Sequence, residues 1–177
     1  MTALVASDYG GLWRRTLLVG ADGSRDTGAD VTWLQGPTAY VDSRGFAGTL
    51  SSRDDVFHWH RDIDLEPPGP SPDEGRMHWD GDTLVEAGVH EHYVEHWIRD
   101  GGPTTPCGAV FVRGLDGAAG LLVRVGELFG WAGGGVVTID AIGGTTWQAL
   151  DISCSESQVH ANGVRWIIDR SEGNVNI

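Results

Sequence analysis

The chain contains no lysine: all twelve of its basic residues are arginine. Schiff-base chemistry and any lysine nucleophile or base are thereby excluded. Cysteine is nearly as scarce. Cys107 and Cys154 are too few for a disulfide scaffold, and nothing spaces them as metal-binding pairs. No apolar run reaches the about 18 residues of a membrane span. Residues 1–11, MTALVASDYGG, carry neither a basic n-region nor a long apolar h-region. We therefore expect a cytoplasmic protein with two buried thiols. Positive charge is also short: the formal net charge of −13 opposes binding to nucleic acid or an anionic membrane. There is no G-x-S-x-G elbow, no phosphate-binding P-loop and no dinucleotide-binding glycine pattern. No segment has the length and 3.6-residue period of a long helix.

What is abundant is tryptophan and glycine, with 8 and 27 residues among 177. Large rings and many turn residues suit a sheet protein with tight connections around a core or a walled cavity. Short strand-like segments recur at hairpin spacing. They run from Gly11 through Trp33 and Tyr40 to the stretch before the prolines at 67–72, and on to Arg170. Residues 1–10 read as a loose arm. Asp80-Gly81 between Arg76–Trp79 and Thr83–Glu86 is a hairpin signal, and Gly133-Gly134-Gly135 is another connection. The pattern predicts an all-β protein, a single domain over 1–177, with its strands in a closed antiparallel barrel or a sandwich.

Gly11-Leu12-Trp13 at the head of the first strand resembles the G-x-W signature of lipocalin and calycin barrels. Further pieces resemble a group of small bacterial lipocalin-like proteins over roughly residues 11–100. They are Trp13-Arg14-Arg15, Trp33-Leu34-Gln35, Tyr40-x-Asp42-x-Arg44, Trp59-x-Arg61-x-Ile63, Leu84-x-Glu86-x-Gly88 and Tyr93-x-Glu95-x-Trp97. The resemblance implies a closed antiparallel up-and-down barrel of about eight to ten strands, with a cavity. It also implies that Trp13 crosses the closed end under a late-strand arginine, for which Arg124, Arg165 and Arg170 are candidates.

Chemistry concentrates in three places. Tyr40, Asp42 and Arg44 share one face of a strand expected over 39–44, beside Trp33 and Gln35 on the strand before it. Facing inward they would form a polar ladder in which Asp42 and Arg44 pair, because an unpaired buried charge is costly. Facing outward they would leave Val41 inside. The second place is the strand expected over Glu91–Arg99. Its odd face carries Tyr93, Glu95 and Trp97, and its even face His90, His92 and His96. Neither face is cleanly apolar. The resemblance selects the Tyr–Glu–Trp face for the inside, together with Glu86. The third is a metal alternative, because His58-x-His60 and His90-x-His92 each put two imidazoles on one strand face, with Glu86 or Glu91 as a carboxylate.

Two functions follow. In the first, the barrel binds a small, partly apolar molecule through Trp33, Gln35, Tyr40, Trp59, Glu86 and Trp97. In the second, the same cavity runs cofactor-free acid–base chemistry of the lyase, isomerase, cyclase or hydratase type. Arg44 would then anchor an oxygen, Glu95 or Asp42 would move a proton, and Tyr93 or Tyr40 would donate. We expect no cofactor in either case. Zinc or iron on His58, His60, His90 and His92, or haem on His58 or His90, stands as the alternative. Expected partners are the small molecule and, as an open possibility, a second copy in a homodimer.

Overall fold

The computed structural model describes residues 6–177. Of the arm expected over 1–10, residues 1–5 lie outside the described residues, whereas Ala6–Tyr9 form a 3-10 turn and Tyr9 is fully buried. Its carbonyl accepts the indole N–H of Trp13 at 2.7 Å. The last part of the arm is thus a plug rather than a loose end.

The first half of the chain is a closed antiparallel barrel. It runs through β1 (Gly11–Val19), β2 (Arg25–Asp26), β3 (Thr32–Gln35), β4 (Ala39–Asp42), β5 (Phe46–Arg53), β6 (Val56–Asp64), β7 (Glu74–Asp80), β8 (Thr83–Gly88) and β9 (Val94–Arg99). β3 pairs β1, the strands from β3 to β9 pair in sequence order, and β1 also pairs β9. Eight strands close the ring, and β2 only extends it, pairing the end of β1. The β7–β8 hairpin turns at Gly81-Asp82, with Asp80 opposite Thr83, one residue later than the sequence signal. The barrel is filled at one end by aromatic rings. Trp13 stacks on Trp33 with centroids 5.4 Å apart, and Tyr9 meets Phe57 edge-on at 5.0 Å. The arginine that covers Trp13 is Arg99, 4.6 Å from the ring centroid, and not one of the three candidates drawn from later strands. Arg99 reaches it because β1 and β9 pair Trp13 directly with Arg99.

The remaining strands build a second sheet. It contains β10 (Cys107–Arg113), β11 (Ala119–Val125), β12 (Leu128–Gly133), β13 (Val136–Ala141), β14 (Ser153–Cys154), β15 (Gln158–Ala161) and β16 (Val164–Gly173), with a one-turn helix α1 (Thr145–Leu150). Their order is β13-β12-β11-β10-β16-β15-β14. This half-barrel is where the strands counted beyond Arg99 go. Once β9 has paired with β1 the ring has no free edge, so later strands must start a new sheet. Both cysteines sit in it, unpaired and half-buried.

The half-barrel packs on the outside of the barrel. Leu12, Leu34, Val41 and Ala47 meet Ala109, Leu121, Val123 and Ala132 in one buried layer. All four residues of β4 are consequently buried, Tyr40 and Asp42 on the barrel side and Ala39 and Val41 on the sheet side. The other face of the second sheet holds its own core of Phe129, Trp131 and Trp166 with Leu150 of α1. No helix of the described residues is long and apolar enough to cross a membrane.

This layering makes a sharp expectation. Leu34 points out of the barrel, so in an isolated barrel its truncation would cost little. Covered by the second sheet, Leu34→Ala should cost about 2–5 kcal/mol, whereas Leu115→Ala, at an exposed turn, should stay within about 0.5 kcal/mol. Urea unfolding of the two variants separates these outcomes.

Candidate functional site

The open end of the barrel holds a cavity of about 670 Å³. Its apolar walls are Trp33, Trp59, Trp97 and Phe46, and its polar walls include Asp42, Arg44, Glu86, Tyr93 and Glu95. These come from β3, β4, β5, β6, β8 and β9 and from the connections beside them. Trp33 meets Trp59 and Trp97 edge-on, at interplanar angles of 74° and 79°. The tryptophans therefore wall the space in crossed planes.

Arg44 lies in the turn after β4, not on the strand expected to carry it. Its position is set by Asp42. The Asp42 Oδ1 accepts the backbone N–H of Arg44 at 2.9 Å, and the same carboxylate accepts Nε at 3.0 Å and Nη2 at 2.8 Å. A third guanidinium contact runs from Nη1 to Glu95 Oε1 at 3.0 Å. Glu95 Oε1 also accepts Arg15 Nη1 at 2.9 Å, and Arg15 reaches on to Asp26 at 3.5 Å. Burial alone would pull the Arg44 guanidinium down. Its hydrogen bonds and charge contacts with Asp42, helped by Glu95, hold it above its ordinary value.

Glu86 sits directly opposite Glu95 across the β8–β9 ladder, with a different set of partners. Its Oε1 accepts the Tyr93 hydroxyl at 2.8 Å and its Oε2 accepts the Trp97 indole N–H at 3.2 Å. Among the described residues no guanidinium lies within ion-pair distance of it. Burial, then the charge of Glu95, push its carboxyl well above the usual range, against the lowering effect of the Tyr93 bond. Burial followed by the Glu86 charge likewise raises the Tyr93 phenol. Two glycines make room for this pair. A Cβ on Gly75 would stand 2.7 Å from Glu86 Cγ, and one on Gly88 would stand 2.5 Å from the Tyr93 ring.

Of the residues singled out from sequence, ten share the cavity wall: Trp33, Asp42, Arg44, Trp59, Glu86, Tyr93, Glu95 and Trp97, with Glu91 and His92 from the metal alternative. Gln35 and Tyr40 point into the barrel but lie off that wall. Gln35 accepts the Trp33 indole N–H and donates to the carbonyls of Gly36, Thr38 and Ala39. Tyr40 donates to the carbonyl of His60 at 3.2 Å, and burial raises its phenol. The wall also contains Arg15 and Arg61, which sequence reasoning missed. Arg61 lies 3.6 Å over the Phe46 ring and pairs with Asp73 and Asp64. Arg15 shares its parity with Trp13, which was the available signal. Nothing local marked Asp73.

The histidines are elsewhere. His58 and His60 stack on each other outside the barrel, with centroids 3.7 Å apart, while Trp59 between them points in. His60 contacts Ser51, and His58 and His90 flank Glu74. Burial, then the neighbouring His60, lower the His58 imidazole. His92 reaches the cavity rim. Among the described residues no group of three or more His, Cys, Asp or Glu is arranged to hold a metal ion.

No protein-family model and no curated protein sequence matches this chain. Among solved structures it is similar in fold to the uncharacterized protein YLR301w from Saccharomyces cerevisiae. That likeness has a TM-score of 0.57 at 12% identity, over 92% of this chain and 98% of that one. At this identity the likeness extends to the fold alone. The barrel with its attached sheet is thus an arrangement found in another protein.

Glu86 gives a stability test. Its folded-state pKa is raised, so the carboxyl favours folding while neutral, below pH about 4.5. That contribution is lost as pH rises through the folded-state value. Glu86→Gln stays neutral at every pH. Its amide oxygen can accept from Trp97, while its NH2 donates to the Tyr93 hydroxyl. The variant should melt at a higher temperature than the wild type as pH rises above that range, and the gap should close in acid. Thermal melts across pH read this directly, and a gap independent of pH would contradict it.

Proposed function

We propose that the barrel binds a small molecule with a flat or apolar body and a few polar groups. The observation that carries this reading is the cavity itself. Crossed tryptophans and an ordered ionic network face one volume of about 670 Å³, within the range of small-molecule sites. The network is braced before any ligand arrives, so little ordering cost is left for binding. The reading takes the barrel as a lipocalin-like carrier or sensor, and the two unpaired thiols suit a cytoplasmic one.

The second reading is a cofactor-free acid–base enzyme in the same cavity, and the Glu86–Glu95 pair favours it. Facing carboxyls with divergent surroundings are a usual way to obtain one proton donor and one anion at the same pH. Glu86 would hold the proton, with Tyr93 beside it as donor. Arg44 would anchor a developing oxyanion, and Asp42 and Glu95 would keep that guanidinium in place.

Native mass spectrometry of the purified protein should show a bound small molecule or, on screening, retain one at a stoichiometry of one. Arg44→Leu and Glu95→Gln should each weaken that binding by at least about tenfold, since each leaves a partly buried charge without its partner. Circular dichroism checks that the fold persists. Ligand retained at full affinity by both variants would remove the network from the site. Turnover of a bound compound, lost in Glu86→Gln, would favour the second reading.

A further inference from the structure

We infer that the molecule held in this cavity is an organic cation, a protonated or quaternary nitrogen carried on an aromatic or apolar body. This rests on the ligand-binding reading above and names its ligand class. The inference begins with the guanidiniums, the obvious anchors for an anion. None is available. Arg44 is held by both oxygens of Asp42 and by Glu95, Arg15 by Glu95 and Asp26, and Arg61 by Asp73 and Asp64. An incoming anion would meet guanidiniums whose charge is already balanced by carboxylates.

The charge on the wall points the same way. Five carboxyls line the cavity, Asp42, Asp73, Glu86, Glu91 and Glu95, against the three guanidiniums. The chain as a whole carries −13, and a cleft lined by excess charge of one sign concentrates the opposite ion. Of the buried carboxyls among them, the one left without a cation is Glu86, held at the wall by the neutral donors Tyr93 and Trp97. The charged and titratable groups that face it are Glu95 on β9, Tyr93 just ahead of that strand, Asp73 ahead of β7 and Arg44 from the β4–β5 turn. Two of the other carboxyls repel its charge, and one guanidinium, already shared, attracts it. A cation entering the cavity supplies what this set lacks.

The aromatic walls suit the same charge. Rings attract cations over their faces, and the crossed planes of Trp33, Trp59 and Trp97 form a corner rather than a slot. The barrel already uses such contacts internally. Arg44 lies 5.7 Å from the Trp97 centroid and Arg61 lies on Phe46. A neutral ligand would use the rings and leave Glu86 without a counter-charge. A cation uses both.

The test compares three probes that share a phenyl group: benzyltrimethylammonium, benzyl alcohol and phenylacetate. Each is titrated into the wild-type protein by calorimetry and by tryptophan fluorescence. The ammonium should bind about tenfold or more tighter than the other two, and its affinity should fall with added salt. It carries no exchangeable proton. Any proton released on binding, read from titrations in two buffers of different ionisation heat, therefore leaves the protein. Glu86→Gln should remove that release and most of the preference for the ammonium. Wild type carries the main comparison, so a poorly folded variant does not weaken it. Benzyl alcohol or phenylacetate binding as tightly as the ammonium would overturn the cation assignment and leave ligand binding standing. If no probe binds, native mass spectrometry decides. A bound cation supports the assignment, a bound neutral or anionic molecule overturns it, and an empty barrel that takes up nothing overturns the binding reading with it.

Discussion

The pairing of β1 with β9 is the contact on which the rest of this molecule depends. It runs from Trp13 opposite Arg99 to Val19 opposite Val94, with a register shift between Arg15 and Leu17. Before the shift Trp13 points into the barrel and Arg15 lines its cavity; after it, Leu18 takes the cavity side. An extra residue in one strand re-aims the side chains that follow it. The same seam brings Arg99 over Trp13 at the closed end and Arg15 onto Glu95 at the open end. A one-residue slip of β9 would turn Glu95 and Trp97 outward and bring His96 in. Closure of the barrel and assembly of the polar wall are therefore one event.

The polar wall divides two facing glutamates into unlike groups. Glu95 receives two guanidiniums, one of them shared with Asp42. Glu86, its direct neighbour across the ladder, receives a phenol and an indole. A buried charge is tolerated when it is paired and saturated with hydrogen bonds, and otherwise the group retreats to its neutral form. Glu95 meets the first condition. Glu86 meets it only in part, and its raised titration follows. The asymmetry comes from which strand carries which partner, since the two residues are chemically identical.

The half-barrel accounts for the difficult burial pattern of β3 and β4. A strand in an ordinary barrel shows one face to the core and one to water, and its sequence alternates accordingly. Leu34, Ala39 and Val41 face a second sheet instead, so both sides of these strands exclude water. That cover also stiffens the strand that delivers Asp42, and through the following turn Arg44, to the cavity.

The residues themselves determined the all-β class and the turn positions. They also brought out Trp33, Asp42, Trp59, Glu86, Glu95 and Trp97 as candidates for a cavity wall, and the likeness of the Gly11-Leu12-Trp13 head to barrel proteins pointed to closure, because strand period, turn chemistry and short motifs are local properties. The pairing of Asp42 with Arg44 was legible for the same reason, two residues apart and of opposite charge. Tertiary structure decided the rest. The face of β4 and of β9 that lines the cavity could not be read from alternation, since one strand is buried on both sides and the other is polar on both. The ring closed after eight strands because β9 met β1, and no local signal states where a ring will close. Arg15, Arg61 and Asp73 joined the wall, and Arg99 covered Trp13 in place of a later arginine, through contacts between strands far apart in sequence. The histidines, the most visible chemistry in the chain, went largely to the outside for the simplest reason. Side chains alternate along a strand, so Trp59, Glu95 and Trp97 on the inner face leave His58, His60 and His96 outside, while His90 and His92 fall in the connection before β9.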